Sequence, residues 1–443
     1  MTGVQTCALP ICIRELKERI LYTITWLVVF RIGAYLPIPG INAGALKAYF
    51  AQSGSQGGIT DYLDFFAGGA FKNFSVFMLG VMPYISAQII IQLVLIVFPS
   101  LKAMAEEEGG RKKIALYTRL GAILVSVLQA FALVAYAKTI AKTNPDVLMI
   151  SPGAYTVLAI TTVTTGTMFL VWIGEQITKR GIGNGISLLI FAGIVARLPN
   201  AVYALVRKMM NGEVNAVVAI FVILLFVGVI VLVIYEQQGQ RKIPVNYAKR
   251  VVGRKMYGAQ NTYIPFKINP SGVIPVIFAS SLLTFPLQIA QSLGGGAKWL
   301  RDFAYFLRPE GVWYNIFYVL FIIFFAYFYT QVSLNPQEIS RNLRENGGSI
   351  PGIRSEKMEE YLTKILNRIV LPGSLYLALI ALIPTIVQRL FNFPSELSYL
   401  LGGTSLLILV GVDLDTMSQV EAQLKMHHHD GLTKRGHIKA RNL

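Results

Sequence analysis

Three kinds of residue are scarce in this sequence, and each scarcity removes a class of function. Charge comes first. Asp, Glu, Lys and Arg make up 14% of the 443 residues, against about 25% in soluble domains. With 54% hydrophobic residues, a water-soluble fold would expose more apolar surface than water tolerates. Cysteine comes next. Cys7 and Cys12 are the only two, so the body of the chain has no disulfide framework. Histidine is third: His427, His428, His429 and His437 all lie in the terminal tail. A Ser–His protease within the membrane and a buried zinc site are thereby excluded. The His427–His429 run reads as a solvated basic tail rather than a metal site. No phosphate-binding G-x-x-x-x-G-K-S/T loop occurs, so the chain does not itself draw on ATP.

What the sequence has in abundance is long apolar runs. A membrane helix needs about 20 mainly apolar residues. Ten segments qualify: Ile20–Pro39, Phe74–Phe98, Ile114–Ala137, Tyr155–Glu175, Ile186–Leu205, Val214–Tyr235, Val273–Leu293, Trp313–Val332, Ile369–Leu390 and Leu397–Val420. Their length and continuity predict helices, since barrel strands are about half as long and alternate. The expected fold class is an all-α polytopic membrane protein with ten transmembrane helices. Met1–Cys12 carries no charge and no basic n-region, so it is not a signal peptide. It reads as an atypical leader and an artefact, with a genuine short tail as the alternative.

The net charge of +17 raises nucleic acid as a partner, but its distribution points to a membrane. Placing the amino end in the cytosol and alternating puts roughly 27 basic residues inside against about 11 outside. Both termini are therefore predicted cytosolic. The largest polar segments, Glu236–Lys267, Asn335–Arg368 and the tail from Gln419, fall on that side. Outer loops are short except Ile41–Asn73. That loop passes through the flexible stretch Gln52–Gly58 and then turns amphipathic, with Tyr62, Leu63, Phe65, Phe66 and Phe71 around Asp61, Asp64, Ala67, Gly68 and Gly69. Two readings stand side by side: an interfacial helix lying on the membrane, or a re-entrant segment folded back into a cavity.

Two internal echoes suggest duplication. Gly80–Ala87 reads G-V-M-P-Y-I-S-A and Gly272–Ala279 reads G-V-I-P-V-I-F-A. The string S-L-L-I occurs at Ser187–Ile190 and again at Ser405–Ile408. The first echo joins spans two and seven, the second spans five and ten. Each partner lies five spans on and crosses in the opposite direction. This is the pattern of two inverted five-helix halves with a permeation route between them. Pro83 and Pro275 fall at matching places inside spans, which favours a functional hinge over a tolerated kink.

Acidic groups and histidines, which ion-coupled carriers place mid-membrane, are nearly absent from the spans. Arg31 is read as the one charge deep in a span; functional pairing is favoured over snorkelling there, with no partner evident. The polar groups past the two proline motifs are uncharged: Ser86, Gln88, Gln92, Ser280, Ser281 and Thr284. They either bond between helices, at about 0.6 kcal/mol each, or line a wet, separable seam. At this level an inverted-repeat solute transporter remains an alternative to a pore.

Longer strings narrow the choice. Arg31–Gly40 reads R-I-G-A-Y-L-P-I-P-G, Gly80–Gln92 reads G-V-M-P-Y-I-S-A-Q-I-I-I-Q, and Gly174–Ser187 reads G-E-Q-I-T-K-R-G-I-G-N-G-I-S. Ile243–Gly253 reads I-P-V-N-Y-A-K-R-V-V-G, Gly272–Ser281 reads G-V-I-P-V-I-F-A-S-S, and Pro351–Arg354 reads P-G-I-R. In this order, from about Ile13 to the end, the chain resembles the bacterial SecY family of protein-conducting channels, which are not enzymes. Met1–Cys12 departs from the short charged lead-in usual there.

The resemblance implies a clamshell of two halves, 13–210 and 211–443, around an hourglass pore. It implies a pore ring of Val81, Ile85, Ile190, Ile277, Ser281 and Ile408. A narrow apolar ring dewets and blocks ions, yet favours no particular passing sequence because burial against it is non-directional. A plug is implied at 60–73. A lateral gate is implied at the seam of spans two and seven, with Pro83, Ser86, Gln88, Gln92, Pro275, Ser280 and Thr284. The loops 236–267 and 335–368 become docking candidates through Arg241, Lys249, Arg250 and Arg354; a topological role for these charges stands beside that one. The implied partners are SecE-type and SecG-type membrane subunits, the SecA ATPase, the ribosome, polypeptides bearing signal peptides, and lipid. No cofactor or metal is implied, and the location is the bacterial plasma membrane.

Overall fold

The computed structural model describes residues 14–52, 64, 67–107, 109–212, 215–247, 250–252, 255–257, 261–293, 306, 311–391 and 402–435. The leader 1–12 and, among the expected site residues, Asp61, Tyr62, Leu63, Phe65, Phe66 and Lys249 lie outside the described residues.

Every expected span overlaps a helix. In chain order these are α1 (Arg14–Tyr35), α3 (Met82–Val97), α5 (Gly110–Thr143), α6 (Pro152–Arg180), the pair α7 (Gly185–Val195) and α8 (Leu198–Met210), α9 (Ala216–Gln238), α10 (Ile274–Leu293), α11 (Val312–Ser333), α13 (Met358–Phe391) and α14 (Gly403–Arg435). Shorter helices α2 (Ala43–Gln52), α4 (Pro99–Glu106) and α12 (Pro336–Glu345) connect them. Among the described residues six helices are long and apolar enough to cross a membrane, and Met82–Leu95 and Ile274–Thr284 are shorter apolar ones. The chain is an all-α polytopic membrane protein.

Helix α9 shows why water is not its solvent. Ala219, Val222, Phe226, Val229 and Val233 are buried at helical spacing. The opposite face carries Val217, Ile220, Leu224, Val227 and Val231, all exposed. An exposed face as apolar as the buried one belongs in lipid.

Two compact units can be separated. The first takes in the described residues up to Pro199 and again from Ile408; the second takes in those from Asn200 to Leu407. In the first, α3 packs on α5, α5 on α6, α6 on α7, and α1 on both α6 and α7. The turn between α6 and α7 ties several helices together. Ile182 N donates to Thr23 Oγ1 of α1 (3.2 Å), Gly183 N to Gln419 Oε1 of α14 (2.9 Å) and Gly185 N to Thr178 Oγ1 of α6 (2.9 Å). Asn184 caps α7 by accepting from Ile186 N and Ser187 N. Backbone donors that a turn would leave unpaired are thus satisfied by side chains. On α5, Arg119 grips Glu175 of α6 with two bonds, 2.8 and 2.5 Å long.

In the second unit α10 and α13 pack on α11. Its polar loops are folded. Strand β1 (Gln240–Tyr247) pairs antiparallel with β4 (Asn261–Lys267) on one edge and with the short β5 (Gly348–Ser349) on the other. Strands β2 (Arg250–Val252) and β3 (Lys255–Tyr257) form a separate ribbon. Ile243, Val245 and Phe266 of the sheet share a buried core with Leu343 of α12, Ile350, and Met358, Leu362, Ile365, Leu366 and Ile369 of α13. Strands β1 and β4, helix α12 and the first turns of α13 therefore form one packed body.

Two expected spans are reshaped. Span two is helical only from Met82, because Phe74 and Gly80 hold left-handed backbone (φ 45° and 57°) that an α-helix does not admit. Span five breaks at Ala196–Arg197 and restarts as α8 with Pro199 in its first turn. Pro83 and Pro275 are not mid-helix kinks. Each stands second in its helix, where the missing N–H has no intrahelical partner to lose.

Candidate functional site

Between α2 and α3, the described residues 64 and 67–74 are held inside the first unit. Ala67, Ala70, Phe71 and Phe74 are all buried. Phe74 stacks on Tyr136 of α5 at 6.3 Å, and Phe71 lies 6.2 Å from the same ring. Gly68, at φ 65°, lies so close to α7 that a Cβ there would come within 2.7 Å of Gly193 Cα. Both positions need glycine, one for its backbone angle and both for the approach. Gly69 follows, also left-handed at φ 91°.

Two arginines grip this segment. Arg31 of α1 donates from Nη1 to the Gly68 carbonyl (3.0 Å) and from Nη2 to Tyr35 Oη (3.3 Å). The partner that the sequence did not disclose is thus a backbone carbonyl of the expected plug. Asp64 is 1% exposed; its carboxylate meets Arg197 Nη2 at 2.7 Å and accepts from Lys72 N at 2.9 Å. Arg197 sits in the break between α7 and α8. It escaped the sequence reading although a charge inside an apolar span is a usable signal. Arg119 is a second such charge, and its partner is Glu175.

The expected ring residues divide between the units. Val81 precedes α3 and Ile85 lies one turn on; Ile190 is central in α7; Ile408 belongs to α14. All four are buried within 5% exposure. In the second unit Ile277 and Ser281 are buried one turn apart on α10. The duplicated motif has duplicated geometry. Gly80 and Gly272 take φ 57° and 59°. In each copy the helix begins two residues later, with its proline next. Ile85 N and Ile277 N donate to Val81 O and Val273 O, each at 3.2 Å.

Among the expected gate residues, Pro83, Pro275, Ser280 and Thr284 are buried; Ser86, Gln88 and Gln92 are half-buried. Ser280 Oγ and Thr284 Oγ1 donate to carbonyls of their own helix, at 2.8 and 2.6 Å. Of the docking candidates, Arg241 is exposed on β1 and Arg354 is exposed beyond β5. Arg250 lies in β2, its backbone paired opposite Tyr257.

Apolar helices with lipid-facing sides, and a buried irregular segment clasped between two of them, define a polytopic membrane protein of channel type. Comparison with known proteins makes the class specific. The SecY family model matches residues 75–417. The protein translocase subunit SecY of Borreliella burgdorferi is 47% identical over 415 residues, covering 93% of this chain and 94% of that one. Two solved structures share the fold. One, described as the structure of a protein-conducting channel, has a TM-score of 0.67 at 18% identity and covers 99% of this chain and 98% of its own. The other concerns a SecY plug domain that stabilises the closed state and maintains a membrane seal; its TM-score is 0.65 at 19% identity, with coverages of 99% and 98%. The chain belongs to the SecY family, and it is a multi-pass membrane protein of the translocase-subunit class.

Proposed function

We propose that this chain forms the conduit through which secretory polypeptides cross the membrane, and that it releases apolar segments sideways into lipid. The observation that carries this most directly is the clasped segment at 64–74. Irregular backbone at membrane depth survives only where protein or a water-filled cavity surrounds it. A movable stopper is a use for such a segment that a fixed helix cannot serve. In this reading 60–73 is the plug. Val81, Ile85, Ile190, Ile277, Ser281 and Ile408 form the constriction, which seals against ions by dewetting. The seam of α3 and α10 is the exit to lipid, driven by partition of about 0.3–0.6 kcal/mol per leucine-like residue. The matched left-handed glycines support two inverted halves, 13–210 and 211–443.

Energy comes from outside. The two polar loops carry Arg241, Lys249, Arg250 and Arg354 in sequence, and these are the residues proposed to meet a SecA-type ATPase or a ribosome. SecE-type and SecG-type subunits complete the assembly. The setting is a bacterial plasma membrane with both termini cytosolic. A precursor arrested in transit and carrying a photoreactive residue is the test. It is expected to crosslink to Ile85, Ile190 and Ile277. Crosslinks confined to lipid-facing positions such as Val217 and Leu224 would place the polypeptide outside the chain.

A further inference from the structure

We infer that Asp64, Arg197 and Arg31 form a latch that keeps the plug seated and sets the threshold at which a polypeptide opens the channel. This rests on the reading of 60–73 as the plug. The residues reach the segment from two sides. Arg197, at the α7–α8 break, meets the Asp64 carboxylate, which also accepts from Lys72 N. Asp64 therefore fastens the loop to itself and to its surroundings at once. Arg31 reaches from α1 to the Gly68 carbonyl four residues further on. Between these two attachments Gly68 lies against Gly193, with no room for a side chain.

The chemistry suits a device that must hold and then let go. Apolar contact alone weakens gradually as a loop slides. A buried ion pair is directional, and it is strong only in one geometry. Asp64 is 1% exposed and Arg197 21%, so the pair is open only from the arginine side. Once the segment moves, both charges can be hydrated, and the released state is not burdened with buried ions. The α7–α8 break also acquires a purpose. Pro199 interrupts the helix, and the interruption leaves Arg197 facing Asp64.

These are positioning residues, so the test needs readouts that a purely structural role would leave alone. Resting conductance would be recorded in planar bilayers for equal amounts of wild type, Asp64→Asn, Arg197→Gln, the double variant, Arg197→Lys and a chain lacking residues 61–72. Transport of precursors with intact and defective signal peptides would be measured in parallel. Each neutralising single variant is expected to raise resting conductance by about tenfold, the population shift that corresponds to roughly 1.4 kcal/mol. Each should also accept the defective precursor. Because one interaction is removed, the double variant should leak no more than the worse single. Arg197→Lys should recover much of the seal. If a neutral variant fails to accumulate, Arg31→Gln, which removes the bonds to the Gly68 carbonyl and to Tyr35 Oη and leaves the Asp64–Arg197 pair in place, should still leak and relax discrimination.

The outcomes separate the two levels. Conductance and discrimination unchanged in the single variants, with a leaking deletion, would overturn the latch and leave the plug standing. An unchanged deletion would overturn both. Full additivity in the double variant would also defeat the latch, since the two charges would then act apart.

Discussion

Ile190 is a side chain on which the sealing argument can be tested. It is 5% exposed in the middle of α7, and asparagine would set a polar amide where an aliphatic chain packs. If an apolar ring excludes ions by dewetting, Ile190→Asn should wet the constriction. Resting conductance in bilayers is expected to rise several-fold at normal expression, and an unchanged conductance would remove Ile190 from the seal. Arg354 poses the opposite kind of question. It is exposed, and it follows the left-handed Gly352 (φ 80°) at the tip of its loop. One charge among the roughly 27 expected on the cytosolic side does not decide the orientation of ten spans. Arg354→Glu should therefore insert normally but present a like charge to an acidic motor surface. Truncating or reversing a desolvated contact of this kind costs about 2–5 kcal/mol, and much less at a rim. Motor-driven transport should fall at limiting motor concentration and recover partly at high concentration. Full activity across the range would leave Arg354 a topology signal only.

At the scale of elements, legibility followed the kind of force involved. Spans driven by bulk hydrophobicity were read well, because lipid rewards a long apolar run wherever it occurs. Interruptions were read poorly. The late start of α3 depends on left-handed backbone at Phe74 and Gly80, and a composition window passes over both. The break at Ala196–Arg197 comes just before Pro199, which has no N–H for the Val195 carbonyl, and a hydropathy window passes over it too. The sheet of the polar loops was missed for a related reason. Its core is assembled from three separated stretches, around Ile243–Val245, Phe266 and Leu343–Ile369, and only Met358–Ile369 shows an apolar face by its own spacing. The echo of Gly80 in Gly272 was legible, and its cause is now physical: both are left-handed turns that start a helix. Gly272 is open enough that an added Cβ would touch nothing within 4 Å. Gly272→Ala should therefore cost only the backbone penalty of about 1–2 kcal/mol. Thermal melting in detergent is expected to show that loss. An unaltered melting temperature would mean that the turn does not need glycine.

The whole molecule has lipid-facing helices, a folded polar platform and an irregular segment held at depth by two arginines. The sequence carries no G-x-x-x-x-G-K-S/T loop, and in the proposed function a partner acting on the platform drives transport. Residue-level seals and element-level turns have a common purpose only if polypeptide passes through this chain. That is measured most directly by reconstitution. Proteoliposomes holding the chain with a SecE-type subunit are given a SecA-type ATPase and a secretory precursor, and protease-protected precursor is scored with and without ATP. ATP-dependent protection that requires the chain, and that is lost when the signal peptide's apolar stretch is made polar, is the expected result. Protection no greater than in vesicles lacking the chain, with the spans correctly inserted, would contradict a protein-conducting role, as would uptake of small solutes without polypeptide.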